Sequence, residues 1–352
     1  MGKKFISEFK FNEQVDSFFM LLKKELKMTK YDKPYLQLTL SDRTGKIEGR
    51  LWDDAARFNE MADAGDVAHV KGVVEKYREE KQLKVDLLAK ADERAFRFED
   101  MVRVAQNRDK VEADIRMILE GFTNPWLKSL AEAFLGDTAL MAAFRDAIGG
   151  KMWHNAYIGG LMEHTYEVMC IVERMAGLYP QMSRELALMG AFMHDIGKIE
   201  ELDPRKMEYT DQGNLIGHII LGHKILINKI SLVQTFPADL AMRLEHMILS
   251  HHGEYEHQSP VLPKTLEATV VYQADELASQ ANAVKEIIQN EASEGKNWSQ
   301  FYGIKNRKYF IRDHSGEDWG VNDARKERPF ESKGKEAVPE APEGDSEGDL
   351  FT

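Results

Sequence analysis

Apolar and polar residues alternate along much of the first 95 positions of the chain. The stretch Tyr35-Leu-Gln-Leu-Thr-Leu repeats with a period of two, and the alternation resumes at Lys46-Ile-Glu-Gly-Arg-Leu-Trp52. Between them, Asp42-Arg-Thr-Gly45 supplies residues that favour a turn. This pattern predicts a β-hairpin.

Three more strands and one short helix are predicted around that hairpin. The strands are expected at residues 17–26, 67–74 and 82–88, and the helix at residues 55–64. Five strands with one helix between the third and the fourth is the order of a small Greek-key barrel of the OB type.

The hydrophobic period becomes helical from about residue 98 onward. Helices are predicted at residues 109–121, 124–135, 160–178, 183–196, 215–230, 237–250 and 263–290. The predicted fold class is therefore multidomain α+β, an N-terminal five-stranded OB-type barrel followed by an all-α domain. The expected boundaries are a barrel at 1–95, a helical linker at 96–150, a helical domain at 151–320 and a tail at 321–352.

Composition and charge narrow the class of protein. The chain has 352 residues and one cysteine, Cys170, which excludes a disulfide scaffold and a multi-cysteine zinc site. The net charge of −12 argues against a surface that binds polyanions everywhere, although a local basic groove remains compatible with it. From Glu336 to Thr352 there are six acidic residues and no basic one, so we expect a disordered acidic tail. No stretch is apolar enough for a membrane span or a secretory signal, and a cytoplasmic location is expected.

Histidines and aspartates recur at the ends or on the faces of the predicted helices. Intervals of about 23–33 residues separate the groups, which is typical of helices that converge on one point. The groups are His164, His194-Asp195, His218 with His223, His251-His252, and Asp275. Imidazole and carboxylate ligands without thiolate suit divalent Mn, Co, Fe, Mg or Zn.

The doublet His194-Asp195 lies within the apolar sequence Ala-Phe-Met-His-Asp-Ile-Gly-Lys. Burying a charged side chain there costs several kcal/mol unless it is paired or bound to a metal. The sequence therefore predicts a metal centre at this doublet.

The ordered set of motifs resembles the HD superfamily of metal-dependent phosphohydrolases. The motifs are Gly159-Gly-Leu-Met-Glu-His164-Thr, Met193-His194-Asp195-Ile-Gly-Lys198, Gly217-His218-Ile-Ile-Leu-Gly222, Ser250-His251-His252-Gly and Ala274-Asp275. With the OB-like barrel in front, the resemblance extends to the YhaM-type 3′–5′ exoribonucleases and covers residues from about 15 to about 310.

The resemblance implies a role for each matching position. His164, His194, Asp195 and Asp275 correspond to primary metal ligands, and Asp195 would bridge to a second ion completed by His218 and His251. Lys198 corresponds to a lysine that contacts the scissile phosphate, and Asp195 and Lys198 together are the expected catalytic pair. His252, His223 and His154 rank lower as metal or phosphate contacts, because His223 lacks the glycine four residues later and His154-Asn155-Ala156 departs from a family His-His-Ala.

The implied activity is hydrolysis of single-stranded RNA from the 3′ end, with single-stranded DNA as an alternative substrate. Two divalent ions, Mn first among them, would activate water. The barrel would bind the strand through aromatic and basic residues, namely Lys23, Lys24, Lys30, Tyr35, Arg50 and Trp52. Related nucleases often form rings, so a homo-oligomer is also expected, and no membrane partner is.

Two other functions stay open at this stage. One is an HD phosphohydrolase of free nucleotides or cyclic dinucleotides, against which the barrel argues. The other is a catalytically inactive nucleic-acid-binding adaptor, against which the complete ligand set argues.

Overall fold

Five strands close into a barrel in a computed structural model of the protein. They are β1 (Gln14–Met28), β2 (Pro34–Asp42), β3 (Gly45–Leu51), β4 (Val67–Tyr77) and β5 (Glu80–Lys90). Their hydrogen-bonded order is β1-β2-β3-β5-β4, and helix α1 (Ala55–Asn59) connects β3 to β4. The predicted fold class, an OB-type barrel followed by a helical region, is confirmed.

Alternation of side chains produces the barrel core. Leu36, Leu38 and Leu40 occupy every second position of β2 and are fully buried. The barrel closes where β3 pairs in parallel with β5, so that Gly49 lies opposite Leu83. A Cβ atom at Gly49 would lie 3.3 Å from Val85 Cγ2, so this close approach favours a residue without a side chain.

Several barrel elements differ in length from the prediction; β4 and β5, for example, extend beyond the expected 67–74 and 82–88. Strand β1 is longer at both ends than the expected 17–26, because its second half continues to pair with β2 as far as Met28. Helix α1 ends at Asn59 rather than at residue 64. The carbonyls of Asn59 and Ala62 accept hydrogen bonds from the Lys24 ammonium instead of continuing the helical pattern.

Ten helices follow in the part of the chain that the structure describes. They are α2 (Arg108–Glu120), α3 (Pro125–Leu135), α4 (Thr138–Asp146), α5 (Gly160–Leu178), α6 (Arg184–Met193), α7 (Lys198–Glu201), α8 (Asp211–Leu215), α9 (His218–Ser231), α10 (Ala238–Ser250) and α11 (Leu266–Glu291). Helix α5 packs against α2, α4, α6 and α11, and every residue of α6 from Leu186 to Met193 is buried.

The helical region contains features that periodicity did not predict. Helix α4 and the two-stranded sheet of β6 (Leu202–Asp203) and β7 (Glu208–Tyr209) are additional. The helix expected at 215–230 begins three residues later than predicted. Gly217 adopts a positive φ of 78°, and α9 starts at His218. This break separates α8 from α9 and places His218 at a helix N-terminus.

The structure describes residues 3–77, 80–151, 155–291, 297–302 and 306–312. These ranges all belong to a compact unit spanning Met1–Ser315. The predicted tail at 321–352 and His154 lie outside the described residues. Within the described ranges, no helix combines the length and apolar character needed to cross a bilayer.

The segment after the barrel packs directly on the helical region. Val104 forms a parallel β-bridge with Ile158, immediately before α5. The Arg103 guanidinium lies 3.1 Å from the Glu286 carboxylate, near the C-terminal end of α11. Helix α11 therefore reaches the junction between the barrel and the helices.

Candidate metal centre and nucleic-acid interface

Six side chains from five helices or their ends meet in the interior of the helical region. They come from the first turns of α5 and α9, the residues directly after α6 and α10, and the middle of α11. The six are His164, His194, Asp195, His218, His251 and Asp275. All of the predicted primary ligands are thus brought together.

One group forms around the Nε2 atoms of His164 and His194, which lie 3.2 Å apart. His164 Nε2 is 3.0 Å from Asp275 Oδ1, and His194 Nε2 is 3.4 Å from Asp195 Oδ2. Ligand atoms held about 2.0–2.2 Å from one ion stand about 3.0–3.5 Å apart at octahedral or tetrahedral angles. These separations therefore suit a single cation.

A second group forms on the other side of Asp195. His218 Nε2 and His251 Nε2 lie 3.4 and 3.5 Å from Asp195 Oδ1. His252 joins this group, since its Nε2 is 3.2 Å from His218 Nε2. The lower-ranked prediction for His252 therefore gains a geometric basis.

Asp195 connects the two groups. Its Oδ2 atom faces the first group and its Oδ1 atom faces the second, and the side chain is only 2% exposed. Burial by itself raises the pKa of Asp195, but the charge of Lys198 and the surrounding histidines together outweigh burial and hold the pKa well below its ordinary value. The carboxylate is thus kept ionised, with one oxygen for each group.

The histidine rings are oriented by hydrogen bonds from Nδ1. Those of His194, His251 and His252 each lie 2.7 Å from a backbone carbonyl, which can only accept a hydrogen bond. In the neutral ring the proton is then on Nδ1, and the lone pair of Nε2 points into the centre.

Electron-rich nitrogens therefore face one another. His218 Nδ1 donates to Glu201 Oε1 at 2.9 Å, so the close Nε2 atoms of His218 and His252 both present lone pairs. His251 Nε2 is buried and has no hydrogen-bond partner among the residues that the structure describes. Buried acceptors without donors are costly, and a cation coordinated by them would remove that cost. The residues present fit divalent metal ions.

Glu201 is a residue beside the centre that the sequence did not reveal. Its Oε1 atom accepts hydrogen bonds from both the backbone N–H and Nδ1 of His218, each at 2.9 Å. Burial raises the pKa of Glu201, but the two hydrogen bonds from His218, together with the nearby positive charges, lower it by more in sum, so the carboxylate stays charged. A carboxylate behind a ligand histidine fixes the tautomer and makes the ring a stronger ligand.

Lys198 and His223 differ in their relation to the centre. Lys198 Nζ lies 2.6 Å from Asp195 Oδ2, consistent with the predicted phosphate contact beside the metal ligands. His223 Nε2 instead pairs with Glu245 at 2.8 Å and joins neither group, so its lower-ranked prediction as a ligand is not supported.

A cavity of about 750 Å³ opens next to the second group. Lys198, His218 and His252 line it on the side of the centre, and Lys151, Tyr209 and Ile220 line it farther out. Its volume lies within the range of about 300–1,000 Å³ that is usual for small-molecule pockets. A nucleotide-sized group therefore has access to the predicted ligands.

The barrel carries an aromatic and basic platform, in which Trp52 and Tyr77 are exposed and Tyr35 and Arg50 are half-buried. The rings of Tyr35 and Trp52 stack with centroids 4.8 Å apart, and the Arg50 guanidinium lies 5.7 Å from the Trp52 ring and 4.9 Å from the Tyr77 ring. Stacking aromatics beside an arginine are typical of single-strand binding. We call Tyr35, Arg50, Trp52 and Tyr77 the barrel platform.

The predicted lysines behave differently from one another. Lys23 is exposed and pairs with Glu25, and Lys30 is exposed over the ring of Tyr31. Lys24, in contrast, donates to two backbone carbonyls and to Asp63 with its side chain only 11% exposed. The charge of Lys24 is therefore used within the barrel, and its predicted contact with nucleic acid stays a prediction.

Comparisons with known proteins agree with both halves of the chain. The HD domain family matches residues 161–280, and a family described as an OB-fold nucleic acid binding domain matches residues 22–88. The 3′-5′ exoribonuclease YhaM of Listeria monocytogenes serotype 4b (strain F2365) is 29% identical over 317 residues, which cover 88% of this chain and 98% of the relative.

Two further proteins are similar to parts of this chain. YhaM of Listeria innocua is 28% identical over 299 residues, covering 83% of this chain and 93% of the relative. The solution structure of the second OB-fold domain of replication protein A from Methanococcus maripaludis is 28% identical and covers 26% of this chain and 97% of that one, with a TM-score of 0.22.

The HD domain implies binding of divalent metal ions, in agreement with the clustered histidines and aspartates. The predicted resemblance is confirmed: the chain contains an OB-fold nucleic acid binding domain followed by an HD domain, and it is similar along most of its length to the YhaM 3′-5′ exoribonucleases.

Proposed function

We propose that this chain is a metal-dependent 3′–5′ exoribonuclease that hydrolyses the phosphodiester bonds of single-stranded RNA. The observation that carries the proposal is the position of Asp195, whose two oxygens face two separate groups of histidine nitrogens beside Lys198. The names of the relatives support the RNA substrate and the direction of degradation.

Two divalent ions fit this arrangement, and we propose Mn²⁺ as the first to test. His164, His194 and Asp275 would hold one ion, His218, His251 and His252 would hold the other, and Asp195 would be shared. When bound, such ions lower the pKa of water and neutralise charge on a phosphodiester.

The chain's own residues supply position and charge. Lys198 lies on the cavity wall, and its Nζ donates a hydrogen bond to Asp195. Its ammonium is therefore held beside the position that a phosphate next to the metal ligands would occupy. An ammonium in that place stabilises negative charge that develops on the phosphate oxygens. Glu201 holds His218 with its Nε2 lone pair toward the centre.

Labelled RNA distinguishes the proposal from its alternatives. The full-length protein with Mn²⁺ is incubated with 5′-labelled single-stranded RNA, and the products are resolved by length. We expect a ladder that shortens step by step from the 3′ end. Turnover of free nucleotides without a ladder would favour a nucleotide phosphohydrolase, and binding without hydrolysis would favour an inactive adaptor; either result contradicts the proposal.

A matched pair of variants assigns the activity to the centre. Asp195→Asn removes the shared charge and should abolish the ladder, since the two groups lose their common carboxylate. His223→Gln changes a histidine of α9 that lies outside both groups and should leave the ladder intact. Full activity in Asp195→Asn would refute the proposed site.

The barrel platform is proposed to bind the strand. Trp52→Ala removes one ring of the stacked pair and should raise KM for RNA about tenfold, given stacking of about 1–3 kcal/mol per base. Hydrolysis of bis-p-nitrophenyl phosphate should be unchanged. Trp126→Ala, at a partly exposed tryptophan of α3, is the control and should change neither.

A further inference from the structure

Two paired segments follow α11 and form a small antiparallel ladder. Trp298 is bridged to Phe310, and Tyr302 to Arg307. The backbone N–H of Ser299 donates to the Tyr309 carbonyl at 2.9 Å. We call the described residues 297–302 and 306–312 the C-terminal ladder; they lie beyond the region matched by the HD family.

The C-terminal ladder is fixed to the end of α11. The Tyr302 hydroxyl donates to Glu291 Oε1 at 2.5 Å, and the backbone N–H of Gln300 donates to Glu291 Oε2 at 2.9 Å. Ile311 is 1% exposed, so the ladder also has a buried side. The ladder therefore has a defined face toward solvent.

That face carries large aromatic side chains. The bridged pair Trp298 and Phe310 share this face and are 56% and 51% exposed, and Phe301 nearby in the same segment is 57% exposed. The rings of Trp298 and Phe310 contact each other edge to face with centroids 5.4 Å apart. Exposed aromatic clusters on soluble proteins commonly mark binding sites.

Basic residues accompany the aromatics. Arg307, Lys308 and Arg312 are exposed, and the sequence from Asn297 to Arg312 contains no aspartate or glutamate. This is unusual in a chain with a net charge of −12. Bases stack on aromatic rings while basic groups neutralise phosphates, and this combination is characteristic of surfaces that bind single strands.

Helix α11 relates the ladder to the other two sites. Asp275, in its middle, belongs to the metal centre, and Glu286 pairs with Arg103 in the segment that follows the barrel. At a rise of about 1.5 Å per residue, Glu291 lies about 24 Å along the helix from Asp275. The ladder thus lies on the barrel side of the metal centre.

We infer that the aromatic and basic face of the C-terminal ladder is a second binding site for single-stranded RNA, in addition to the barrel platform. The inference rests on the proposed function and extends it to the path of the substrate. A strand with about 3.4 Å between stacked bases needs about seven nucleotides to cover 24 Å. Strands much shorter than that should reach the metal centre without contacting the ladder.

Binding of strands of two lengths tests the inference. Trp298→Ala is made in the full-length chain, and its affinity for fluorescent oligouridylates is measured by anisotropy in the presence of a chelator, which prevents hydrolysis. For a strand of about 16 nucleotides we expect Kd to rise about tenfold, whereas Kd for a trinucleotide stays unchanged. With Mn²⁺ restored, KM for the long strand should rise and hydrolysis of bis-p-nitrophenyl phosphate should not.

Further variants keep the test independent of folding. Trp298→Phe preserves a stacking ring and should restore most of the affinity, and Lys308→Ala should weaken the salt dependence of binding. Tyr179→Ala is the control. Tyr179 is 43% exposed and lies directly after the C-terminal end of α5, whereas the segment that follows the barrel contacts the N-terminal end of that helix. It should change none of these values.

Three outcomes are informative. An unchanged Kd for the long strand in Trp298→Ala overturns the inference. A lower molecular mass of Trp298→Ala than of the wild type in light scattering also overturns it, because the face would then join copies of the chain. If the wild type binds long strands through Trp298 but does not shorten 5′-labelled RNA step by step from the 3′ end, the proposed function fails while this binding site stands.

Discussion

Glu201→Gln should weaken one metal site and leave the other unchanged. The substitution keeps the size of the side chain and its acceptor oxygen but removes the negative charge that faces His218. Hydrogen bonds to charged groups contribute about 1.5–3 kcal/mol and neutral ones about 0.5–1.5 kcal/mol. The difference for the imidazole bond is about 1–1.5 kcal/mol, which corresponds to about a tenfold loss of affinity.

Calorimetric titration of the metal-free protein with Mn²⁺ measures this directly. The wild type should bind two ions, and in Glu201→Gln one affinity should fall about tenfold, because Glu201 supports only the group that contains His218. Glu200→Gln is the matched control, since the neighbouring side chain is exposed. RNA hydrolysis by Glu201→Gln should recover at higher Mn²⁺ concentration.

Either of two results would refute the proposed support of His218 by Glu201. Equal weakening of both ions would mean that Glu201 acts through the general charge of the site. Unchanged affinity for both would mean that the orientation of His218 does not depend on Glu201.

Two further predictions concern the architecture around the sites. Lys24→Met should lower the free energy of unfolding in urea by about 1.5–3 kcal/mol, because it removes charged hydrogen bonds to two carbonyls, whereas Lys23→Met should change it little. If Lys24→Met left stability intact and weakened RNA binding, the structural role would be wrong. Gly253→Ala should lower the thermal midpoint and the activity, since Gly253 has a φ of 74° and a Cβ atom would lie 2.1 Å from the Tyr272 ring. Gly45→Ala, with no atom within 4 Å of its Cβ, should be tolerated, and equal effects of the two alanines would contradict this reading.

Local patterns were enough to predict most of the elements. The alternation of Leu36, Leu38 and Leu40 fixes one face of β2, and that face must be buried against another layer of the fold. Helix α5 has the predicted bounds, because Gly159 with a φ of 80° marks its start and the apolar spacing continues to Leu178.

The ligand set was also accessible from the sequence, but its support was not. His194 and Asp195 are adjacent in an apolar segment, and that juxtaposition is unfavourable without a partner. Glu201 reaches His218 across 17 residues, through the turn that precedes α9. No periodicity signals a contact of that kind, because it depends on how α7 and α9 pack.

The contacts of Lys24 also could not be predicted from the sequence. A cluster of lysines on β1 looks like a surface for phosphates when only composition is considered. The structure turns one of them toward carbonyls at the end of α1, about 35 residues away in sequence. Alternation assigns residues to a face, but long-range packing decides what each polar end contacts.

The most direct test of the central claim is anomalous diffraction at the manganese edge from crystals soaked in Mn²⁺. We predict two peaks, one between His164, His194 and Asp275 and one between His218, His251 and His252, with an oxygen of Asp195 bound to each. Peaks elsewhere, or a single peak that leaves Asp195 uncoordinated, would contradict the account.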